Sequence, residues 1–151
     1  MLDHLKGKPM YKRILVPTDF SKASYAAFVP ATVIAKKFQS KVFLLHVVEE
    51  IPVYAYRIGL SQKELHDRII AHSAEAMRAA AKQLKLKNVE LVVRMGNVQD
   101  EILNVVKKHR IDLIVMGTHG RTGFAHTLVG SVAEKVVRSA PCQVLTVKPR
   151  R

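Results

Sequence analysis

Five short apolar runs alternate with longer segments of helical character, and this alternation limits the possible folds more than any other feature. The runs cover residues 11–16, 41–49, 88–95, 112–117 and 143–148. The second run, KVFLLHVVE, is apolar on both faces, as is typical of a parallel strand covered on both sides. Strands that alternate with helices predict a parallel sheet with right-handed crossovers. We therefore expect an α/β fold: a single domain with an open, parallel five-stranded sheet and helices on both faces.

The segments between the apolar runs carry the start and stop signals of helices. We predict a first helix over residues 22–38, capped by Asp19 or Ser21, and a long second helix from Ser61 to about Lys85. A third runs from its cap at 97 to about 109, and a fourth covers 131–139. Pro30 lies inside the first segment, where a proline costs about 3 kcal/mol, so we expect a kink or a break there.

Length and cysteine content indicate one cytoplasmic domain. A chain of 151 residues has the size of a single domain, and we divide it into an N-terminal extension, residues 1–10, and a domain over residues 11–151. The lone Cys142 cannot form an intrachain disulfide, which fits a reducing compartment. The opening MLDHLKGKPM lacks the apolar core of a secretory signal, and no run reaches the length of a membrane span. We expect a cytoplasmic protein with no membrane partner.

The net charge of +13, from 25 Lys and Arg against 12 Asp and Glu, raises the question of nucleic acid. The basic residues are scattered along the sequence, and no run of five or more occurs. Phe and Tyr together number nine and Trp is absent, so a stacking platform for single strands is not expected. We interpret the charge as a solvated surface and do not expect a nucleic-acid partner; a basic, nucleic-acid-associated protein stays as a weaker alternative.

The stretch VMGTHGRTGFAHTLVGSVAEKVV, residues 115–137, is the most unusual in the chain. Gly117 ends the fourth apolar run, Gly120 and Gly123 follow, and Gly130 directly precedes a predicted helix. The free N–H groups and the dipole of a helix N-terminus suit an anion, and phosphate is the common one. Turn glycines on a surface loop are the alternative for any one of these positions. Three glycines after a strand, with a Gly-Ser helix start, favour a phosphate site.

The spacing Gly117-x2-Gly120-x9-Gly130-Ser131 resembles the G-x2-G-x9-G-[ST] signature of nucleotide-binding universal stress proteins. The likeness extends from about residue 11 to 148 and includes the segments ILVPTDFS, LLHVVE and SAPCQVLTVK. It implies a Rossmann-like fold of the adenine nucleotide alpha hydrolase-like type. It also implies ATP binding, a regulatory role in stress response, and a homodimer through the last strand, Cys142–Lys148.

The resemblance also implies roles for residues at matching positions. Those around the expected nucleotide are Pro17, Thr18 and Asp19 beside the adenosine, Val47 beside the adenine, Met116 and Gly117 on the ribose side, and Gly120, Arg121, Gly130, Ser131 and Val132 around the triphosphate. Mg²⁺ or Mn²⁺ would be bound through the phosphates and not by a protein metal site. From the residues alone, Asp19 can equally be a helix cap, and Val47 and Met116 can equally be ordinary core.

Catalytic motifs are missing from the sequence. No G-x-S-x-G elbow and no H-E-x-x-H metal motif occurs, and Asp19 is the only acid near the expected site. Phosphoryl transfer needs an oriented nucleophile as well as neutralised charge. We therefore expect a protein that binds ATP and is not primarily an enzyme, with slow ATP hydrolysis as the alternative.

Overall fold

The computed structural model describes residues 10–49, 61–118 and 130–149. Its five strands and five helices follow one another as β1 (Arg13–Pro17), α1 (Lys22–Tyr25), α2 (Phe28–Phe38), β2 (Lys41–Val48), α3 (Gln62–Leu84), β3 (Val89–Met95), α4 (Val98–His109), β4 (Leu113–Gly117), α5 (Ser131–Ser139) and β5 (Gln143–Val147).

The five strands form one parallel sheet in the order β3-β2-β1-β4-β5. This confirms the predicted α/β architecture. The chain builds outward from β1 to β3 on one side and then crosses to β4 and β5 on the other. The direction of winding therefore reverses between β1 and β4, and their carboxyl ends border the crevice where such folds bind ligands.

Two hydrophobic cores cover the two faces of the sheet. On one face α2 and α3 pack against Ile14, Val16 and Leu44, with Met77 and Ala80 of α3 fully buried. On the other face α4 and α5 pack against the alternate strand positions, including Leu15 and Leu45. Alternate residues of β1 and β2 thus point into opposite cores, which explains why these strands read as continuous apolar runs.

The predicted single helix over residues 22–38 is wrong in detail, because two helices occupy it. α1 ends at Tyr25 and α2 begins at Phe28, so the break comes before Pro30 and not at it. Pro30 is the third residue of α2, where the backbone N–H would have no acceptor within the helix. The proline therefore removes no hydrogen bond from α2.

The other predicted elements are present, with boundaries that differ by one or two residues. Ser61 caps α3 in a reciprocal capping box with Glu64, and the side chain of Asn97 accepts from two N–H groups of α4. Among the described residues, no helix is both long enough and apolar enough to cross a membrane.

Candidate functional site

The carboxyl ends of β1 and β4 bring together two of the segments predicted to form the site. The register pairs Ile14 with Leu113 and Leu15 with Ile114, so continuing it sets Pro17 beside Met116. Pro17 is half-buried, and Met116 is buried in the core under α4 and α5. The turn after β1 and the end of β4 are therefore neighbours at the point where the winding reverses.

Thr18 anchors the turn that follows β1. Its N–H donates to the carbonyl of Leu45 at 2.8 Å, which extends the β1–β2 pairing by one residue. Its hydroxyl oxygen accepts from the N–H of Phe20 at 3.0 Å and lies 3.0 Å from the hydroxyl of Ser24. Because Thr18 is buried, these bonds hold the turn against α1 from inside. Thr18 is thus a structural residue whose backbone lines the crevice.

Asp19 shapes the same turn without being the helix cap. Its carboxylate accepts from the N–H of Ser21 at 3.0 Å, and the hydroxyl of Ser21 accepts from Ser24 to cap α1. Between them Phe20 adopts a left-handed backbone with φ 65°. Of the two predicted caps, Ser21 is the correct one, and Asp19 is an Asx-turn residue at the mouth of the crevice.

His46 supports this turn from β2, a role that no motif in the sequence predicts. The ring is buried, and its Nδ1 lies 2.8 Å from the carbonyl oxygen of Thr18, so Nδ1 carries the proton and donates. The ring of Phe20 stacks on it with a centroid distance of 4.3 Å. The available signal was a single histidine within an otherwise apolar strand, KVFLLHVV.

Gly117 provides room for α1. A Cβ built on Gly117 would lie 2.4 Å from the carbonyl oxygen of Ala23 and 3.2 Å from the Cα of Ser24. Both are backbone atoms of α1, so no side-chain movement could relieve the clash. On the side where its Cβ would stand, Gly117 makes room for α1 and not for a ligand.

Thr118 directly follows β4 and Gly130 directly precedes α5, and these two residues are hydrogen-bonded. The N–H of Gly130 donates to the carbonyl of Thr118 at 2.6 Å, while the N–H of Thr118 donates to Val147 at 3.0 Å. This bond holds the start of α5 against the carboxyl end of β4. The N-terminus of α5 therefore lies at the same crevice as the turn after β1.

Gly130 is the N-cap of α5, and it caps the helix without a side chain. Its φ and ψ of −71° and 157° nearly equal those of Ser21, −74° and 157°, and of Ser61, −65° and 153°. Both serines use this backbone conformation to accept a hydrogen bond from their helix. A serine would fit the backbone at Gly130, so the backbone does not require glycine there.

The remaining predicted residues divide into described and undescribed ones. Val47 and Val132 are partly buried and pack against the core under α4 and α5, while Ser131 is exposed in the first turn of α5. Gly120 and Arg121 lie outside the described residues, as does Gly123. In the parts of the chain that are described, no three His, Cys, Asp or Glu side chains group closely enough to hold a metal ion.

Comparison with known proteins shows which family the chain resembles. A model of the universal stress protein family matches residues 10–148. The universal stress protein MJ0531 of Methanocaldococcus jannaschii is 36% identical over 144 residues, which cover 94% of this chain and 85% of the relative. The solved universal stress protein UspA of Lactobacillus plantarum is 33% identical with a TM-score of 0.77, covering 91% of this chain and 97% of that one. The solved protein MJ0577 is 30% identical with a TM-score of 0.82, covering 94% and 99%.

Two more distant structures share the fold and contain nucleotides. A universal stress protein in complex with cAMP is 23% identical with a TM-score of 0.71, covering 93% of this chain and 99% of that one. A family member from Arabidopsis thaliana with AMP bound is 22% identical with a TM-score of 0.61, covering 92% of each chain. At this identity the likeness concerns the fold.

Proposed function

The chain belongs to the universal stress protein family, and from this premise we propose that it binds ATP at the carboxyl edge of its sheet and acts as a regulatory protein. Two distant relatives of the same fold hold cAMP and AMP, which supports an adenine nucleotide as the ligand class. The spacing from Gly117 to Ser131 supports the triphosphate form, because it matches the signature of the nucleotide-binding members.

The uncapped start of α5 is the observation that carries this proposal. α1, α3 and α4 each begin with a side chain that accepts from the helix. α2 begins at Ala27 without such a cap, but Ala27 has a helical backbone, whereas Gly130 supplies no cap in a conformation that suits serine. Within the described part of the chain, no side chain caps the first N–H groups of α5, which lie beside the crevice. A phosphate oxygen would accept from the N–H groups of Ser131 and Val132, and the helix dipole would favour its charge.

Apolar side chains and a backbone turn form the part of the proposed site that would hold the adenosine. Val47 and Met116 belong to the edge of one core, and the turn at Thr18 and Asp19 lies between them and α1. An adenine ring would contact the apolar side chains, and the Asp19 carboxylate would accept from a ribose hydroxyl or hold a water on the metal. Mg²⁺ or Mn²⁺ would be bound by the phosphates, because Mg²⁺ commonly takes few protein ligands and keeps its waters.

Binding without rapid turnover fits the residues at this edge. The Asp19 carboxylate already accepts from the N–H of Ser21 in its own turn. Slow ATP hydrolysis is the second candidate function. Steady-state phosphate release decides between them: we expect turnover far below the ~10 s⁻¹ of a median enzyme, and rapid release lost in Asp19→Ala would favour the hydrolase.

Gly130→Ser separates ATP binding from stability, because the two should change in opposite directions. Serine would restore the missing cap and should stabilise the fold by a few tenths of a kcal/mol, since glycine is that much poorer as a cap. The hydroxyl would also occupy the space of a phosphate oxygen, so we expect ATP affinity to fall at least tenfold from a micromolar Kd, about −8 kcal/mol. Gly130→Val should abolish binding while the fold survives.

Ser61→Gly is the matched control, because it removes a cap from α3 at a position outside the proposed site. It should lower stability by a few tenths of a kcal/mol and leave ATP affinity unchanged. Calorimetry with ATP and Mg²⁺ at tens of micromolar protein measures all three variants. Wild-type affinity in both Gly130 variants would show that the glycine only turns the chain.

We also propose a homodimer through β5. This strand lies at one edge of the sheet, where unpaired N–H and C=O groups favour addition of another strand. Its Leu145 is 37% exposed, and the nearby helix α2 exposes Val33 at 61%. Light scattering at micromolar concentration should give twice the monomer mass of 16.9 kDa. A monomer with an intact C-terminus would refute the dimer.

A further inference from the structure

We propose that the amino edge of the sheet, opposite the nucleotide site, is a docking surface for the phosphate backbone of double-stranded nucleic acid. The basic residues are scattered in the sequence, but they are not scattered in space. In a parallel sheet the strand starts share one edge, and the ends of the intervening helices return to it. This topology brings most of the described cations to that edge, which we call the basic face.

The centre of the basic face is the row of strand starts. Lys12 and Arg13 are exposed there, and Arg13 is in register with Lys41 of β2. Lys36 and Lys37 extend this row on one side, because they occupy the last turn of α2. The cations therefore begin on the sheet itself and continue onto the helix that covers it.

The ends of α3 and α4 widen the face on the two sides of the sheet. Lys82, Lys85 and Lys87 lie at or just beyond the end of α3, and all three are exposed. Lys107 and Lys108 are exposed in the last turn of α4 on the opposite side. Arg110 follows them as the C-cap of α4.

The basic face holds most of the net charge of the described residues. It carries eleven of the nineteen described Lys and Arg, against two of the ten described acids, Glu90 and Asp112. Both acids are engaged: Glu90 pairs with Lys41 at 2.6 Å, and Asp112 accepts from the N–H of Arg13 at 2.8 Å. Arg138 also lies in the last turn of a helix that returns to this edge, but it pairs with Glu134 at 2.8 Å, so we count it among the other eight cations, which eight acids balance.

Helix dipoles explain only part of this pattern. Cations in a last turn stabilise a helix, but Lys12, Arg13 and Lys87 belong to no helix. Lys85 and Arg110 are C-caps with φ of 49° and 50°, the left-handed conformation in which glycine is preferred. A charged side chain stands at both positions although glycine would suit the backbone better. The C-cap of α2, Gln39 with φ 55°, is left-handed as well but uncharged, so two of the three left-handed C-caps at this edge carry a cation.

The chemistry of the basic face favours a duplex over other polyanions. Every described aromatic side chain is at least partly buried, so the described residues of the basic face offer no platform to stack the bases of a single strand. Met10 is the one large apolar side chain exposed among these cations in the described residues, which is too little for insertion into a lipid surface. Nine of the eleven cations are lysines, which bind phosphates as point charges without reading sequence.

The double variant Lys85→Gly/Arg110→Gly tests the proposal without loss of the fold. Glycine relieves both left-handed caps, so the melting temperature should rise or stay constant while two cations are removed. The matched control Lys63→Gln/Arg68→Gln removes two exposed charges from the first half of α3, away from the face. Binding is measured by fluorescence anisotropy with a labelled 25-base-pair DNA duplex, and an RNA duplex of the same sequence serves as the second arm.

We expect the wild type to bind both duplexes with a Kd that rises steeply between 50 and 200 mM salt, with a slope of about 0.9 per phosphate contact. Lys85→Gly/Arg110→Gly should weaken binding at 0.1 M salt by about tenfold or more and reduce the slope by between 1 and 2. The control pair should keep the wild-type slope, and ATP affinity should be unchanged in both.

Three results would overturn the proposal. They are absence of duplex binding at 50 mM salt, equal losses in the two double variants, and binding to vesicles of anionic phospholipid without binding to either duplex. The second result would indicate a response to net charge and not a face. Because ATP affinity is measured on the same samples, failure here is distinguishable from failure of the nucleotide site.

Discussion

Gly117→Ala is the substitution for which the structure gives the sharpest expectation. The added Cβ would lie 2.4 Å from the Ala23 carbonyl oxygen, and real contacts of this kind essentially never fall below 3.0 Å. The backbone of α1 must therefore move by at least about 0.6 Å. Gly117 is itself held in the sheet by its pairing with Val147, so the movement falls on α1.

The expected loss of stability follows from two contributions. Overpacking of this kind against backbone typically destabilises by about 1–3 kcal/mol. The same movement displaces Ser24, whose hydroxyl lies 3.0 Å from that of Thr18 in a buried position, and a lost hydrogen bond adds about 1 kcal/mol. We expect Gly117→Ala to lower the free energy of unfolding by about 2–4 kcal/mol, measured by urea denaturation.

The same substitution should weaken nucleotide binding, because α1 carries the turn at Thr18 and Asp19. Leu84→Ala is the matched control, because Leu84 is fully buried at the end of α3, at the opposite edge of the sheet. Truncation of a buried leucine to alanine costs about 2–5 kcal/mol. Leu84→Ala should thus destabilise the fold to a similar degree without changing ATP affinity.

Two outcomes would contradict this reasoning. A Gly117→Ala protein within 0.5 kcal/mol, roughly the scatter of a neutral surface substitution, would mean that α1 moves freely. Equal losses of ATP affinity in Gly117→Ala and Leu84→Ala would mean that affinity follows global stability and not the position of α1.

Two further predictions concern single contacts. Hydrogen bonding to Lys41 lowers the pKa of Glu90, so the pair contributes stability above the ordinary carboxyl pKa and loses it as the pH falls through the folded-state value. Both side chains are about 40% exposed, so Glu90→Gln should destabilise by at most about 1 kcal/mol at pH 7 and progressively less below pH 4.5, in urea titrations at each pH. His46→Leu removes the donor to the Thr18 carbonyl. It should lower the free energy of unfolding by about 1–3 kcal/mol and weaken ATP binding. Unchanged values in both denaturation and calorimetry would exclude a supporting role for His46.

The order and type of most elements could be predicted from the sequence because their signals are local. Apolar runs gave the five strands, and caps such as Ser61 and Asn97 gave the starts of α3 and α4. The break between α1 and α2 has no comparable local signal, since Pro30 lies beyond it. α1 packs backbone to backbone on Gly117, a contact between residues more than ninety positions apart.

The sequence predicts which segments meet at the candidate site, but not the contacts that each of its residues makes. Spacing marked Gly117 and Gly130 alike, yet Gly117 accommodates α1 whereas Gly130 occupies a cap that a serine could fill. His46 carries no motif and is recognisable only once β1 and β2 are paired. Such roles depend on which backbone atoms approach each residue, and that information is not in the spacing.

The charges show the same dependence on topology. A parallel sheet separates the starts of its strands from their ends by the length of a strand, about 17 Å for five residues. This separates the basic face from the start of α5 by more than the Debye length of about 8 Å at physiological salt, so screening should make their direct electrostatic coupling weak.

Nucleotide at the carboxyl edge could affect a duplex at the amino edge only through a movement of packed elements or a change in assembly. α1 contacts the turn after β1 and the end of β4, whereas the cations lie at the other ends of α2, α3 and α4. We therefore expect ATP and duplex to bind independently, with the duplex Kd changed less than twofold by saturating ATP and Mg²⁺ once the free Mg²⁺ concentration is matched.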